Sequence, residues 1–174
     1  MTSFLAVRNA VFTLVVPGAG GVYVPWLVLA RHGVLPSPAA WYAAPVIAVG
    51  VLLYLWCVWL FATVGRGTPG TWDPPRRFVA VGPYRWVRNP IYISAMLIVC
   101  GEAWLFLSAE LLGYAVALAV AFHLLVICYE EPGLRTRFGG PYESYLHNVK
   151  RWTPHRPAGS GTDSAGVASG AQFQ

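Results

Sequence analysis

The chain has 174 residues, 56% of them hydrophobic and only 11% charged, with a formal net charge of +5 and a mean hydropathy of +0.53. One soluble domain of this length cannot hide so much apolar surface, so the composition excludes an ordinary water-soluble fold and places the chain in lipid. Cys57, Cys100 and Cys128 fall inside apolar runs, without CxxC or Cys/His spacing, and the four histidines are scattered; they read as reduced packing residues and give no metal site.

Taken in order, the first stretch long enough to span is Val11 to Ala30, whose Pro17, Gly18, Gly20 and Gly21 predict a bend or a close helix contact. No small-residue cleavage site follows it and further spans do, which argues against a secretion signal. The Gly18-Ala19-Gly20 triplet is no nucleotide fingerprint: the third glycine would fall at Tyr23, and no βαβ pattern surrounds it. A second span runs from Trp41 to Val64, with Trp56, Trp59 and Phe61 toward its end as interfacial anchors or packing residues.

A short polar stretch follows, Gly82 to Tyr92, reading GPYRWVRNPIY. Asn89 before Pro90 predicts a helix start, because an Asn side chain can accept an orphan backbone N–H and proline at the first helical position has no donor to lose. The third span is Pro90 to Leu107 and the fourth Leu111 to Tyr129, and the brief Ser108-Ala109-Glu110 link makes them antiparallel neighbours. After the fourth span come Glu130-Glu131-Pro132, Leu134, Phe138-Gly139, Tyr142 and Tyr145. The stretch 157–174, rich in Gly, Ser and Ala, is expected to be disordered and leaves one domain over 1–156. Glu102, the acidic residue well inside a span, lies away from the other motifs and reads as structural or interfacial.

Charge sets the orientation. With four spans, one face holds Arg8, Arg66, Arg76, Arg77, Arg85, Arg88, Arg135, Arg137, Lys150, Arg151 and Arg156, while the other keeps Arg31. Cytoplasmic loops hold the excess of Lys and Arg, so both termini and both polar motifs belong in the cytoplasm. The basic balance is a topology signal, and no nucleic-acid module is visible.

The hairpin turns two motifs into one site. Spans of similar length that leave and re-enter the cytoplasmic face bring Asn89 and Tyr92 level with Glu130. One edge is a helix N-terminus, which favours a carboxylate or phosphate, with Arg85 or Arg88 adding positive charge. The other is the acid pair, which favours an ammonium or a ribose hydroxyl. Each motif alone has a plain reading: Asn89-Pro90 as a cap, the arginines as headgroup contacts, the acid pair as a helix boundary, Tyr142 and Tyr145 as packing. Their joint pattern favours a cofactor site.

G-x-Y-x-x-x-R-[HN]-P-x-Y, followed after a hairpin by E-E-x-x-L-x-x-x-F-G-x-x-Y-x-x-Y, resembles the integral membrane methyltransferases related to isoprenylcysteine carboxyl methyltransferase and the phospholipid methyltransferases, over Arg76 to Pro154. The resemblance implies an all-α integral membrane protein with four transmembrane helices and a cytoplasmic pocket for S-adenosylmethionine, acting on a lipophilic methyl acceptor from the bilayer. Carried over by position, cofactor contacts fall on Arg77, Phe78, Val79, Tyr84, Asn89, Pro90, Ile91, Tyr92 and Glu130, with Arg88 and Glu131 as the catalytic candidates. Many relatives have histidine where this chain has Asn89, so an imidazole base is missing there. The eukaryotic prenylcysteine enzymes carry arginine where this chain has Val126. Two other classes stand beside this one: an NADPH-dependent membrane reductase of the sterol-reductase type, with Arg135 and Arg137 available for the extra phosphate, and a non-catalytic membrane scaffold.

Overall fold

Proline and glycine set most of the helix boundaries. In the computed structural model, which describes residues 18–33, 35–65 and 78–155, a π-helical turn, Ala19–Tyr23, leads into α1, Val24–His32, with Pro25 in its first turn. Gly33 ends α1 in the left-handed conformation (φ 59°), where a residue without Cβ adopts it at no steric cost. Pro45 opens α2, Ala44–Leu60. Pro90 opens α3, Pro90–Leu105. Ser108 caps α4, Ala109–Leu125, by accepting from Leu111 N–H at 3.2 Å.

α4 continues through a π turn, Val126–Glu130, into α5, Glu131–Phe138. Pro132 explains the turn: it has no N–H to give the Cys128 carbonyl, and its ring would strike that carbonyl in a regular helix. The ladder slips by one residue instead, and Glu131 N–H reaches back to Val126 O. Gly139, at φ 54° and ψ −129°, then redirects the chain into α6, Gly140–Asn148. That backbone conformation is one that glycine alone adopts readily.

Two helices among the described residues are long and apolar enough to cross a membrane, Ala40–Gly65 with 26 residues and Ala109–Phe138 with 30. At ~1.5 Å per residue they reach about 39 and 45 Å, more than the ~30 Å hydrocarbon core. They carry the second and fourth expected spans. α3, with 16 residues, reaches about 24 Å. Of the first expected span, residues 11–17, Pro17 included, lie outside the described residues. So do Arg8, Arg66, Arg76, Arg77 and Arg156 and the stretch 157–174.

α2 and α3 cross closely at glycines. A Cβ on Gly50 would lie 2.9 Å from the Ser94 carbonyl oxygen, and one on Gly101 would lie 2.5 Å from Ile47 Cγ1. Small residues let the two backbones approach, which is how helices pack when lipid removes the hydrophobic drive between them. The π turn before α1 meets the hairpin through Tyr114, whose hydroxyl donates to Gly20 O at 2.8 Å. The outer faces stay apolar and open: Val49, Leu52 and Leu55 on α2, and Leu112, Val116, Val120 and Leu124 on α4, are all exposed. Two long apolar faces of this kind suit a hydrocarbon solvent, not water. Aromatic residues mark both ends, with Trp41, Tyr42 and Trp104 at one and Trp56, Trp59 and Trp86 at the other, all exposed.

Candidate active site

The site is assembled where α3 begins and α4 gives way to α5. α3 starts at Pro90 as expected, but Asn89 does not cap it with its side chain. The Asn89 amide instead donates to Arg151 O at 3.3 Å, drawn aside by the chain that follows α6. The first turn of α3 therefore receives no side-chain cap, which leaves the positive end of that helix dipole available.

Across from it, Tyr92 donates its hydroxyl to Glu130 Oε1. The next residue, Glu131, sits on a different face and is gripped by two guanidinium groups. Arg88 Nη1 donates to Oε1 at 2.9 Å, while Arg151 donates from Nε to Oε1 at 2.8 Å and from Nη2 to Oε2 at 2.9 Å. The Glu131 side chain is only 9% exposed. Burial alone would raise its pKa, but the bonds from Arg151 and the charges of Arg88, Arg151 and Arg135 outweigh that and hold the carboxyl below its ordinary range. Two arginines on one carboxylate leave the cluster with a surplus positive charge, and Arg88 Nε is buried with no hydrogen-bond partner among the described residues.

Residues 149–155 form a strap over this cluster. Arg88 N–H donates to Lys150 O at 2.9 Å, His155 N–H donates to Trp86 O at 2.8 Å, and Trp152 Nε1 donates to His123 Nδ1 at 3.1 Å. Beside the strap, the Phe78 ring is enclosed by Phe138, Tyr142 and Tyr145, with centroids 5.5, 5.6 and 4.9 Å away. The turn at Gly139 and the three-residue spacing on α6 bring these rings to one point. Tyr145 also donates to Tyr84 O at 2.7 Å, tying α6 to the turn Gly82–Arg85. Burial, then the Glu131 charge, pushes the Tyr142 phenol up to about 12, so it stays protonated near neutral pH.

Among the residues expected at the site, Arg88, Asn89, Tyr92, Glu130 and Glu131 come together. Phe78 stands in the aromatic enclosure. Val79 and Tyr84 are buried in a core with Cys57 and Leu60, against which Ile91 packs; the Tyr84 ring meets Phe61 edge-on and offers no open face. Pro90 and Val126 are fully buried, and Arg77 lies outside the described residues. Glu102, toward the other end of α3, has no place in the cluster. The sequence reading missed Arg151, which it counted for topology alone. A lone arginine twenty residues past the acid pair carries no local signal, and the fold of α5 and α6 is what returns it to Glu131.

The family profile of phospholipid methyltransferase matches residues 39–140, more than half of the chain. The chain belongs to the phospholipid methyltransferase family. It is thereby a member of a family of membrane methyltransferases, and methyl transfer is the activity that the family implies. The family match spans α2 to α5 with the first polar motif and the second as far as Phe138-Gly139, and ends before Tyr142, Tyr145 and Arg151. No curated protein and no solved structure matches the chain.

Proposed function

We propose that this protein transfers a methyl group from S-adenosylmethionine to a lipid-like acceptor at the cytoplasmic face of a cell membrane. The observation that carries this is the pairing across the hairpin: Tyr92 with Glu130 and Arg88 with Glu131, beside an uncapped helix start. The residues present fit the cofactor. The orphaned Arg88 Nε and the first turn of α3 suit a carboxylate, and Glu130 suits an ammonium or ribose hydroxyl.

When bound, S-adenosylmethionine would supply an electrophilic methyl on a positively charged sulfur, for transfer to a nucleophilic atom of the acceptor with the thioether as leaving group. The protein's part is alignment and exclusion of water. Arg88 is the catalytic candidate, its Nε still without a partner among the described residues. Glu131, already satisfied by two arginines, acts by positioning Arg88. Glu130, oriented by Tyr92, fixes the cofactor's amino end. Phe78, Phe138, Tyr142 and Tyr145 wall the pocket against solvent.

Two measurements test this reading. Glu130→Gln should weaken S-adenosylmethionine binding in calorimetry by about 1.5–3 kcal/mol, the scale of a hydrogen bond to a charged group. Unchanged affinity would remove Glu130 from the site, and binding of NADPH in place of S-adenosylmethionine would overturn the cofactor altogether. The orientation, four spans with both termini in the cytoplasm, rests on the arginine asymmetry. A cysteine placed at the exposed Lys150 should react with an impermeant maleimide only after cells are permeabilised. Labelling from outside intact cells would put the site on the wrong face.

A further inference from the structure

A groove of about 530 Å³ runs along the outer side of the α3–α4 hairpin, between Ile93, Leu97 and Cys100 on one wall and Ala119 and His123 on the other. Its size falls in the ~300–1,000 Å³ range of small-molecule sites. Apart from one end, its lining is apolar. At that end stand His123 and Trp152, joined by their 3.1 Å hydrogen bond. Phe122, another lining residue, lies with its ring 4.5 Å from that of Tyr92, the residue that holds Glu130. The groove thus follows the spanning helices at one end and abuts the polar cluster at the other.

We infer that this groove seats one hydrocarbon chain of the acceptor lipid, with the head at the His123–Trp152 end and the chain running toward Cys100. The inference rests on the methyltransferase reading and adds the surface from which the acceptor reaches the site. Three features select this occupant over a protein partner. The groove lies on α4, whose exposed face is continuous Leu and Val, so hydrocarbon is the surrounding solvent. Its single polar end is the end nearest Glu130, matching a molecule with one polar terminus. From Ile93 to Cys100 the helix rises about 10 Å, enough to grip the head-proximal part of a chain while the rest stays in the bilayer. The small side chain of Ala119 keeps the groove open, and the His123–Trp152 pair fixes where the head must stop.

The test uses the full-length protein in phosphatidylcholine vesicles doped with a phospholipid bearing a photoactivatable diazirine, placed in one probe near the head and in a second part-way along the chain, within the length that the groove spans. Cross-linked peptides should concentrate on 93–100, 119–124 and the stretch around Trp152, the head-proximal probe toward His123 and Trp152 and the mid-chain probe toward Leu97 and Cys100. Ala119→Phe, which fills the groove, should lower these cross-links at least fivefold. It should also lower the transfer of labelled methyl into vesicle lipid at least fivefold, with S-adenosylhomocysteine affinity unchanged as proof of folding. Val116→Phe, on the exposed face outside the groove, should change none of these. Should Ala119→Phe fail to bind S-adenosylhomocysteine, Cys100→Trp narrows the opposite wall and is read in the same way. Cross-links spread evenly over the faces of α2 and α4, or a filled groove that leaves labelling intact, would overturn the inference. Wild-type protein that binds no S-adenosylhomocysteine would instead sink the cofactor reading, which separates the two failures.

Discussion

Glu131→Ala is expected to destabilise the folded protein by about 3 kcal/mol, because it strands Arg88 and Arg151 beside each other in a largely buried setting. Removing one member of a buried ion cluster costs ~3–5 kcal/mol, and the partial exposure of Arg151, 30% at the side chain, puts this case at the lower end. The effect has a pH signature. The carboxyl of Glu131 is held below its ordinary range, so its contribution is fully present above the unfolded value of ~4.3 and is lost as pH falls through the lower folded value. Thermal unfolding in detergent micelles should therefore show wild type losing its advantage over the variant as the buffer is acidified below about pH 4. Equal stability of the two proteins at pH 7 would mean that the arginines find water as good a partner as Glu131.

The second large effect is expected at the crossing of α2 and α3. Gly50→Leu should cost about 3 kcal/mol, the upper end of ordinary overpacking. Even its first added carbon would lie 2.9 Å from the Ser94 backbone carbonyl, which cannot move without moving α3. Gly101→Ala makes an instructive comparison. Its added carbon would meet Ile47 Cγ1 at 2.5 Å but the nearest backbone atom only at 3.4 Å, so a side chain rather than the facing backbone must give way, against the χ1 preference of a β-branched residue in a helix. Alanine also gains ~1 kcal/mol of helix propensity over glycine, and Gly101→Ala should fall well short of Gly50→Leu in the same unfolding assay. A Gly50→Leu protein as stable as wild type would show that the two helices separate freely.

What could be read in the sequence follows from how local each signal is. The apolar runs and the Asn89-Pro90 start located α3 and the hairpin because hydropathy and proline act within a few residues. The meeting of Tyr92 with Glu130 followed from the hairpin alone. The behaviour of the acid pair did not. Both glutamates were read as one edge facing a ligand, whereas Glu131 turns to Arg88 and Arg151 and leaves Glu130 with Tyr92. Successive residues on a helix point ~100° apart, so adjacent glutamates face different partners. Asn89 was legible as a boundary but not as the donor to Arg151 O, since that partner arrives from the other side of α5 and α6. Likewise Tyr84 suited an adenine-stacking role by residue type, while its burial against Phe61 depends on packing with α2.

The strap over the cluster has a consequence for biosynthesis. Glu131 is made 20 residues before Arg151, an interval of about 1–4 s at ~5–20 residues per second. During that interval the cluster lacks Arg151, the Lys150 carbonyl that receives Arg88 N–H, and the Trp152 indole that bonds His123. A chain that ended at α6 would therefore lack the groups that close the site. The residues that finish the pocket are the last of the described chain to be translated, so ligand binding reports that the protein has been read through to them.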